Sequence, residues 1–329
     1  LKITAADTTP VLTLTSAGSV DSVDFNNLSG IEVIMSTTQY TENDGLSVSG
    51  TTNSQTLQLV NSTSGADTVT QLSGIETYKL NATTAADSIT FNAAFGAASV
   101  NLSRMGHADA VVKVSVSNTL TFDGSWTNFN AGDTLEISGV NGTVDVTGVN
   151  SGSTIGGIDT LTVGTGGILK ANAAQLDGAA STGDGTTFVV SLGSSTDNLS
   201  SINTTSVTLD VTSANASVSD GFTLAGGRAY TVNGGNTLNL TSANSLGLNA
   251  TSSFVIAAST GLIANASDFD QVATSSGGTT TVRGVNTSTA DLSELNSTNV
   301  VIDIESANAA VGTGFDLAGR AYSVIGTGE

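Results

Sequence analysis

Aspartate residues recur in this sequence where a turn gives way to an alternating strand pattern. An Asp followed by Ser or Thr and then an aliphatic residue occurs at Asp21, Asp67, Asp87, Asp133 and Asp159. Carboxylate and carbonyl oxygens are the ligands that Ca²⁺ takes in proteins, whereas a carboxylate in a turn can also accept the backbone N–H groups of that turn. We therefore predict calcium binding at Asp21, Asp67 and Asp133, with a structural Asx turn as the alternative.

The residues that catalysis would use are few and dispersed. His107 is the one histidine and has no nucleophile motif beside it, and the lack of cysteine excludes thiol catalysis, disulfides and thiolate zinc sites. Trp126 and four tyrosines offer few aromatic faces for sugars, and the eight basic residues are spread along the chain. We predict no enzymatic activity, although two carboxylates that meet only in the folded chain would leave no mark in a glycosidase sequence.

The charge balance narrows the possible partners. The chain carries 28 acidic and eight basic residues, a net charge of −20, which repels phosphate backbones and anionic membranes. It contains no apolar run of the roughly 18 residues that a membrane helix needs. We therefore expect neither nucleic-acid binding nor membrane insertion. Only 11% of the residues are charged, and Ser, Thr and Val are abundant, which indicates an all-β chain with a hydroxyl-rich surface.

A long repeat is the strongest feature of the second half. TSVTLDVTSANASVSDGFTLAGGRAYTVNGG from Thr205 matches TNVVIDIESANAAVGTGFDLAGRAYSVIGTG from Thr298, an offset of 298 − 205 = 93 residues. The match extends upstream to Gly185 and Gly278, and the second copy lacks an equivalent of Gly227. The chain therefore contains two copies of one unit, and we expect the second to continue beyond residue 329 in a longer polypeptide.

Each copy carries an alternating strand pattern. Val207, Leu209 and Val211 alternate with polar residues, which predicts a half-buried strand with Asp210 and its counterpart Asp303 facing water.

An arginine and a tyrosine also recur together in both copies. Tyr230 and Tyr322 follow Arg228 and Arg320 by two residues. We interpret these as a structural contact of Arg over Tyr, with a binding site on each repeat as the alternative.

A shorter period runs through the chain. The aspartate phrases follow one another at offsets of 67 − 21 = 46, 87 − 67 = 20, 133 − 87 = 46 and 159 − 133 = 26, which lie near multiples of about 23. The 93-residue offset fits four such units. Such regular spacing is typical of a parallel β-solenoid, a β-helix or β-roll in which each coil stacks on the previous one. We therefore predict an all-β, repeat-built β-solenoid.

Tandem Ig-like β-sandwiches are the rival fold. Ninety-three residues is also the size of one such domain, and the turns at 141–142 and 233–236 could close hairpins. The absence of the 93-residue period from residues 1–150 favours the solenoid. The weak helical candidates are residues 93–98 and 171–176. We divide the chain into an N-terminal repeat region, 1–150, a region with the first long copy, 151–277, and the second copy, 278–329.

Short phrases resemble one class of proteins. GADTV at 65–69 and SGIET at 73–77, together with Thr-, Ala- and Val-rich strands without cysteine, resemble bacterial surface-layer proteins and RTX-type repeat-bearing adhesins, and the resemblance runs through residues 21–34, 67–80 and 156–163. The resemblance implies an extracellular location on the bacterial cell surface and calcium-ordered repeats. The glycine-rich calcium nonapeptide of RTX proteins is absent, and its nearest fragments are residues 183–185 and 233–236.

These observations lead to one predicted function. We expect a non-catalytic extracellular structural protein that self-assembles as a surface-layer, filament or matrix component, and therefore a homo-oligomer. Unprotected strand edges would favour such contacts. The alternatives are an adhesin segment that binds host or cell-surface glycans and, less favoured, a carbohydrate-active β-helix enzyme.

Overall fold

The computed structural model describes much of the chain. Between residues 11 and 138 it describes the backbones of the strands and the burial of a few of their side chains. Beyond them it describes residues 142–149, 155, 160–304, 310–317 and 319–326. The chain folds as two units, one of residues 1–170 and 179–185 and the other of residues 171–178 and 186–329.

The first unit is built from short strands. They are β1 (Val11–Thr13), β2 (Ser22–Asp24), β3 (Glu32–Ser36), β4 (Leu46–Ser49), β5 (Thr56–Asn61), β6 (Ala66–Ser73), β7 (Thr77–Ala82), β8 (Ser88–Asn92), β9 (Asn101–Arg104), β10 (Val111–Ser115), β11 (Thr119–Gly124), β12 (Thr134–Ser138), β13 (Thr143–Val149), β14 (Thr160–Val163), β15 (Ile168–Asn172) and β16 (Ala180–Val190). The last two run on from the first unit into the second.

Strands of the first unit pair in parallel with strands one coil away. One sheet has the order β1-β3-β5-β7-β9, another follows β2-β4-β6-β8-β10-β12-β14-β16, and β13 pairs with β11 and β15. Val111 pairs with Thr134, and Thr134 pairs with Thr160, so that consecutive coils advance the numbering by 134 − 111 = 23 and 160 − 134 = 26. The predicted parallel β-solenoid with a period near 23 is confirmed.

The second unit continues with further strands, most of them of two to five residues. They are β17 (Asn198–Leu199), β18 (Ile202–Asp210), β19 (Ala216–Ser217), β20 (Thr223–Leu224), β21 (Ala229–Asn233), β22 (Thr237–Asn239), β23 (Ser253–Ile256), β24 (Gly261–Asn265), β25 (Ala273–Ser275), β26 (Thr279–Arg283), β27 (Asp291–Leu292), β28 (Asn299–Asp303), β29 (Asp316–Leu317) and β30 (Ser323–Ile325).

A coil of the second unit has three faces. From β18 the chain passes through β19 and β20 before β21 brings it back beside β18, where Val207 pairs with Tyr230. β19 begins the six-stranded sheet β19-β22-β24-β26-β28-β30, whereas β20 pairs with β17. Each strand is short because a polar or glycine-containing corner follows within a few residues.

Inward-pointing side chains form the core of this unit. Tyr230 stacks on Phe254 with ring centroids 5.5 Å apart, and Phe254 meets the edge of Phe269 at 6.5 Å. Leu238 and Leu262 are directly paired in the six-stranded sheet, and both are fully buried. Each buried aliphatic or aromatic side chain contributes about 1.5–3 kcal/mol, so that the stack is held by apolar columns that run from coil to coil.

The turns that suggested hairpins are corners of coils. β12 and β13 flank residues 141–142, but β12 pairs with β10 and β14, and β13 pairs with β11 and β15. β21 and β22, which flank residues 233–236, likewise belong to different sheets. Gly234 has φ +123°, and a Cβ there would lie 2.2 Å from the backbone nitrogen of Thr212, so only glycine fits this corner. The sandwich interpretation is wrong.

Helical structure is minimal in the described chain. Of the two weak candidates, 171–176 contains one turn of 3-10 helix, Ala173–Gln175. Residues 93–98 lie outside the described residues.

The 93-residue repeat does not equal a whole number of coils. Val207 pairs with Tyr230, Tyr230 with Phe254 and Phe254 with Thr274, and Thr274 forms a parallel bridge to Leu295. Four coils therefore end at an offset of 295 − 207 = 88. The repeat counterpart of Val207 is Val300, which lies five residues later in β28 of the six-stranded sheet. The repeat thus spans four coils and one further face, rather than the four coils expected from the sequence.

Candidate functional site

The predicted calcium ligands fall mostly outside the described residues. Asp21 and Asp133 lie outside them, as does His107. Asp67 is the second residue of β6, where it is the register partner of Ile89, and its side chain is not described. In the part of the chain that the structure describes, no group of three or more His, Cys, Asp or Glu side chains could hold a metal ion.

Described aspartates at corners bond the backbone of the next coil. The backbone N–H of Asn198 donates to Asp177 Oδ1 at 2.8 Å, and the N–H of Asp291 donates to Asp270 Oδ1 at the same distance. The two pairs are repeat counterparts, since 270 − 177 = 93 and 291 − 198 = 93. These carboxylates hold consecutive coils together.

A second polar motif forms hydrogen bonds between residues two apart within one coil. Asp or Asn two residues before Ser or Thr accepts both the backbone N–H and the hydroxyl of that residue, as Asp145 does from Thr147 and Asn239 from Thr241. Hydrogen bonds from Ser293 likewise hold the pKa of Asp291 below its usual value. This is an Asx turn. It gives the recurrence of Asp-x-Thr and Asn-x-Thr in this sequence a structural explanation.

Among the described residues, two ion pairs lie on strands. Lys170 Nζ is 2.8 Å from Asp145 Oδ2, and Arg283 Nε is 2.9 Å from Asp303 Oδ2. Burial raises the pKa of Asp145, but the hydrogen bonds from Lys170 and Thr147 outweigh it and leave the pKa below the usual value. Asp303, which we expected to face water, is only 8% exposed because Arg283 covers it.

The repeated arginines bond to backbone carbonyls. Arg228 donates to the carbonyl of Thr204 and to Asn203 Oδ1, and Arg320 donates to the carbonyls of Leu295 and Ser297 at 2.7 and 2.6 Å. A guanidinium group presents five donors in a rigid plane, so each arginine ties its corner to the coil before it.

The tyrosine that follows the first arginine lies in the core. The hydroxyl group of Tyr230 donates to the carbonyl of Ala225, and its ring packs on Phe254. Burial raises the pKa of Tyr230 to about 12, against the smaller opposing effects of that hydrogen bond and of the positive charge of Arg228.

A buried pair of hydroxyl groups also recurs. Thr187 and Thr204 approach to 2.9 Å, and Thr280 and Ser297 to 2.6 Å. All four side chains are fully buried. Each pair joins adjacent coils inside the core.

One open depression lies among the corners of the second unit. It has a volume of about 290 Å³ and is lined by polar and small residues between 267 and 290, including Asp270 and Asn286. Both side chains accept backbone N–H groups, from Asp291 and Ala310 respectively. The lining contains no aromatic side chain on which a sugar could stack, and its Asp270 and Asn286 side chains are engaged by backbone N–H groups of the chain itself.

The repeat begins earlier than the sequence comparison indicated. β14 and β23 start 253 − 160 = 93 residues apart, and β15 and β24 start 261 − 168 = 93 residues apart. The signal that we missed is weak but present in the sequence. Ala171-Asn172-Ala173 recurs as Ala264-Asn265-Ala266.

Comparisons with known protein families, with curated proteins and with solved structures gave no match. Among the described residues, there is no helix whose length and hydropathy would let it cross a membrane. The fold and the repeated contacts are therefore the observations on which a function can be proposed.

Proposed function

We propose that this chain is a non-catalytic structural protein of the bacterial cell surface that self-associates into a surface layer, filament or matrix. The observation that supports this is the use of its polar side chains. Four side chains bind the backbone of a neighbouring coil, and the same contacts recur after 92 or 93 residues: Asp177 and Asp270 accept a backbone N–H, and Arg228 and Arg320 donate to the carbonyls of Thr204 and Ser297. A chain that uses its charged groups to hold coils together is suited to a scaffold.

The outer face of the six-stranded sheet supports lateral contacts. Thr237, Gly261, Thr279 and Asn299 are register partners on four adjacent strands. They form a row of short uncharged side chains that a second molecule can approach closely. This row suits close packing of one copy beside another, and the Arg283–Asp303 ion pair lies farther along β26 and β28.

Calcium is not part of this proposal. Among the described residues, no group of three or more His, Cys, Asp or Glu side chains is placed to hold a metal ion, and the predicted ligands Asp21 and Asp133 lie outside those residues. Binding at Asp21, Asp67 and Asp133 stays a prediction. Association in the mechanism above relies on apolar and hydrogen-bonding contacts between coils and between copies.

Electron microscopy of the purified chain tests the proposal. We expect ordered sheets or filaments, and uniform single particles at every concentration, with calcium and with EDTA, would overturn it. Single particles that bind glycans would support the adhesin alternative instead.

A calcium titration of the melting temperature tests the predicted ligands separately. The triple variant Asp21→Asn, Asp67→Asn, Asp133→Asn should lose any stabilisation by calcium. A control with the same change in charge replaces three exposed aspartates, Asp184, Asp220 and Asp316, and should keep it. If the melting temperature of the unmodified chain does not respond to calcium, the predicted sites are wrong.

A further inference from the structure

Asn-x-Ser and Asn-x-Thr, the sequon that accepts N-linked sugars in secreted proteins, recur along this sequence. The fold also uses the same phrase for Asx turns and for contacts between coils. Most occurrences therefore have a structural explanation. A sequon that neither use explains is a candidate for modification.

Several sequons form Asx turns. The hydroxyl of Ser200 donates to Asn198 Oδ1 at 2.6 Å, and the hydroxyl of Thr251 donates to Asn249 Oδ1 at 2.8 Å. The repeat counterpart of Asn198 is Asp291, which makes the same turn. The exchange of Asn for Asp keeps the turn and removes the sequon, so the turn is what this position preserves.

Other sequons bond a neighbouring coil. Asn215 and Asn286 accept backbone N–H groups of the next coil, and Asn265 donates to a carbonyl of the coil before it. None of these sequons occurs in both copies of the repeat, because the residues at the matching Ser, Asn and Ser positions are Ala310, Gly193 and Ala174.

One sequon is present in both copies. Residues 203–205, Asn-Thr-Thr, and residues 296–298, Asn-Ser-Thr, are counterparts at an offset of 296 − 203 = 93. In each, the Asn and the last Thr are exposed, whereas the middle residue is fully buried in the hydroxyl pair of the core. Asn203 is exposed although β16 and β21 lie on either side of β18, so its exposure does not depend on where the chain ends.

The amide groups of this sequon make only a local contact through nitrogen. Nδ2 of Asn203 donates to the carbonyl of Ser201, and Nδ2 of Asn296 donates to the carbonyl of Glu294, both at 3.2 Å. An amide nitrogen carries two hydrogens. This contact uses one of them, and the other can be replaced by a bond to a sugar.

Neither an Asx turn nor the repeated arginine explains asparagine at both positions. The hydroxyl of Thr298 donates to a carbonyl of the preceding coil rather than to Asn296. Arg228 donates to Asn203 Oδ1, but its counterpart Arg320 donates to two backbone carbonyls instead. What the two copies share is an exposed amide with an exposed Thr two residues later.

We propose that Asn203 and Asn296 are N-glycosylation sites. The co-reactant is an activated sugar, in which the anomeric carbon is joined to a diphosphate on a lipid or a nucleotide. Nδ2 forms a bond to that carbon and loses a proton, while the bond from the carbon to the diphosphate oxygen breaks and the diphosphate leaves with the electron pair. The proposal rests on the cell-surface location proposed above, because sequon sugars are carried by secreted proteins.

Mass spectrometry of the chain purified from the cells that make it tests the two sites. Trypsin, which cleaves after Lys and Arg, yields peptides 171–228 and 284–320, and electron-transfer fragmentation locates a sugar on its residue. We expect sugar on Asn203 and Asn296 and none on Asn198. An unmodified Asn203 or Asn296 overturns the assignment of that residue, and sugar confined to the Asx-turn sequons overturns the selection rule.

Variants made in the same cells test whether the sequon is what is recognised. Thr205→Ala should abolish the sugar on Asn203 and leave that on Asn296, whereas Thr205→Ser should keep both. The matched control is Ser200→Ala, which removes a nearby exposed hydroxyl and should leave the sugar on Asn203 unchanged. Melting temperatures report whether each variant is folded. Sugar that persists on Asn203 in Thr205→Ala would contradict the proposal.

The outcomes separate this inference from the proposed function. An unmodified chain that forms sheets or filaments overturns the glycosylation sites and leaves the proposed function in place. A chain with sugar on Asn203 and Asn296 that stays as single particles supports the sites and overturns self-association.

Discussion

The first copy of the 93-residue repeat, around β16 and β18, and the second, around β26 and β28, hold their coils together with the same contacts. The buried hydroxyl pair, the aspartate bond to the next backbone N–H and the arginine bonds to carbonyls occur in both. These contacts lie on different faces of the solenoid in the two copies. The repeat therefore preserves the contacts between neighbouring coils, whereas the face of the solenoid on which those residues lie differs between the copies.

The copies differ where side chains point outward. Asp210 accepts a hydrogen bond from the hydroxyl of Thr212, whereas its counterpart Asp303 is buried against Arg283. The residue at the position of Arg283 in the first copy is Val190, which cannot form an ion pair. The comparison teaches that inward and corner positions determine the fold, while outward positions are free to change.

The largest expected effect concerns two equivalent glycines. A Cβ at Gly185 would lie 2.5 Å from Val163 Cγ1, and one at Gly278 would lie 2.3 Å from Ile256 Cγ2, with backbone carbonyl oxygens at 2.6–2.7 Å in both cases. We expect Gly185→Ala and Gly278→Ala each to cost about 3 kcal/mol, because backbone must move to relieve the overlap. Urea unfolding measures the loss.

A control lies next to Gly278. Gly277→Ala meets Ala258 Cβ at an ordinary 3.4 Å, and its counterpart in the first copy is Asp184, which already carries a side chain. It should be nearly neutral. A large effect at one of the two equivalent glycines and none at the other would break the equivalence of the copies.

The next effect depends on pH. The pKa of Tyr230 is about 12 in the folded chain and near 10 when unfolded, so its contribution is complete below pH 10 and is lost as pH rises from 10 to 12. The full loss is up to about 3 kcal/mol for a shift of this size. One of the four tyrosines should titrate near pH 12 in absorbance at alkaline pH. In Tyr230→Phe that late titration should be missing, and its presence there would disprove the assignment.

The buried hydroxyl pairs should show a smaller effect. Thr204→Val leaves the hydroxyl of Thr187 without its partner in the core, which costs about 1–3 kcal/mol. Adding Thr187→Val should recover part of the loss, and a double-mutant cycle measures the coupling. The same cycle at Thr280 and Ser297 should give a coupling of the same sign. Additive effects at both pairs would show that the hydroxyl groups do not interact.

The smallest effect distinguishes the copies at one buried position. Gln175 accepts the N–H of Asn172, and its counterpart Asp268 is a part-buried carboxylate whose pKa burial raises, against hydrogen bonds from Asn265. A raised pKa means that folding disfavours the charged carboxylate, so the folded chain is less stable at a pH where Asp268 is ionised. Asp268→Asn should therefore stabilise at pH 7, by less than about 1 kcal/mol because solvent screens the carboxylate. Melting temperatures at pH 7 and pH 3 test this, since the gain should vanish in acid.

The fold could be predicted because its signals are local and repeated. Alternation at Val207, Leu209 and Val211 indicated a strand, and the spacing of the aspartate phrases indicated the length of a coil. Coil lengths vary, however, with offsets between paired strands from 279 − 261 = 18 to 160 − 134 = 26. A mean period therefore could not reveal that the long repeat ends one face beyond four coils.

The candidate site was harder to predict because its contacts join residues far apart in sequence. Nothing near Asp303 indicates that Arg283, twenty residues earlier, will cover it. The carboxylate of Asp177 is a group that could bind a metal, yet it accepts the backbone N–H of Asn198. A contact with a backbone N–H group leaves no signature in a sequence. Polar residues in a solenoid take their role from the coil above or below, and only the register of the strands assigns that role.

The extra face in the 93-residue repeat has a consequence for how such a chain can lengthen. Because β18 and its repeat counterpart β28 belong to different sheets, one sequence segment can fold on more than one face, and a duplication need not respect coil boundaries. Each added repeat would keep the coils stacked, but every strand after it would lie one face further around the solenoid axis than in a stack of whole coils. Since a coil has three faces, three repeats would be needed before the same side chains return to the same side.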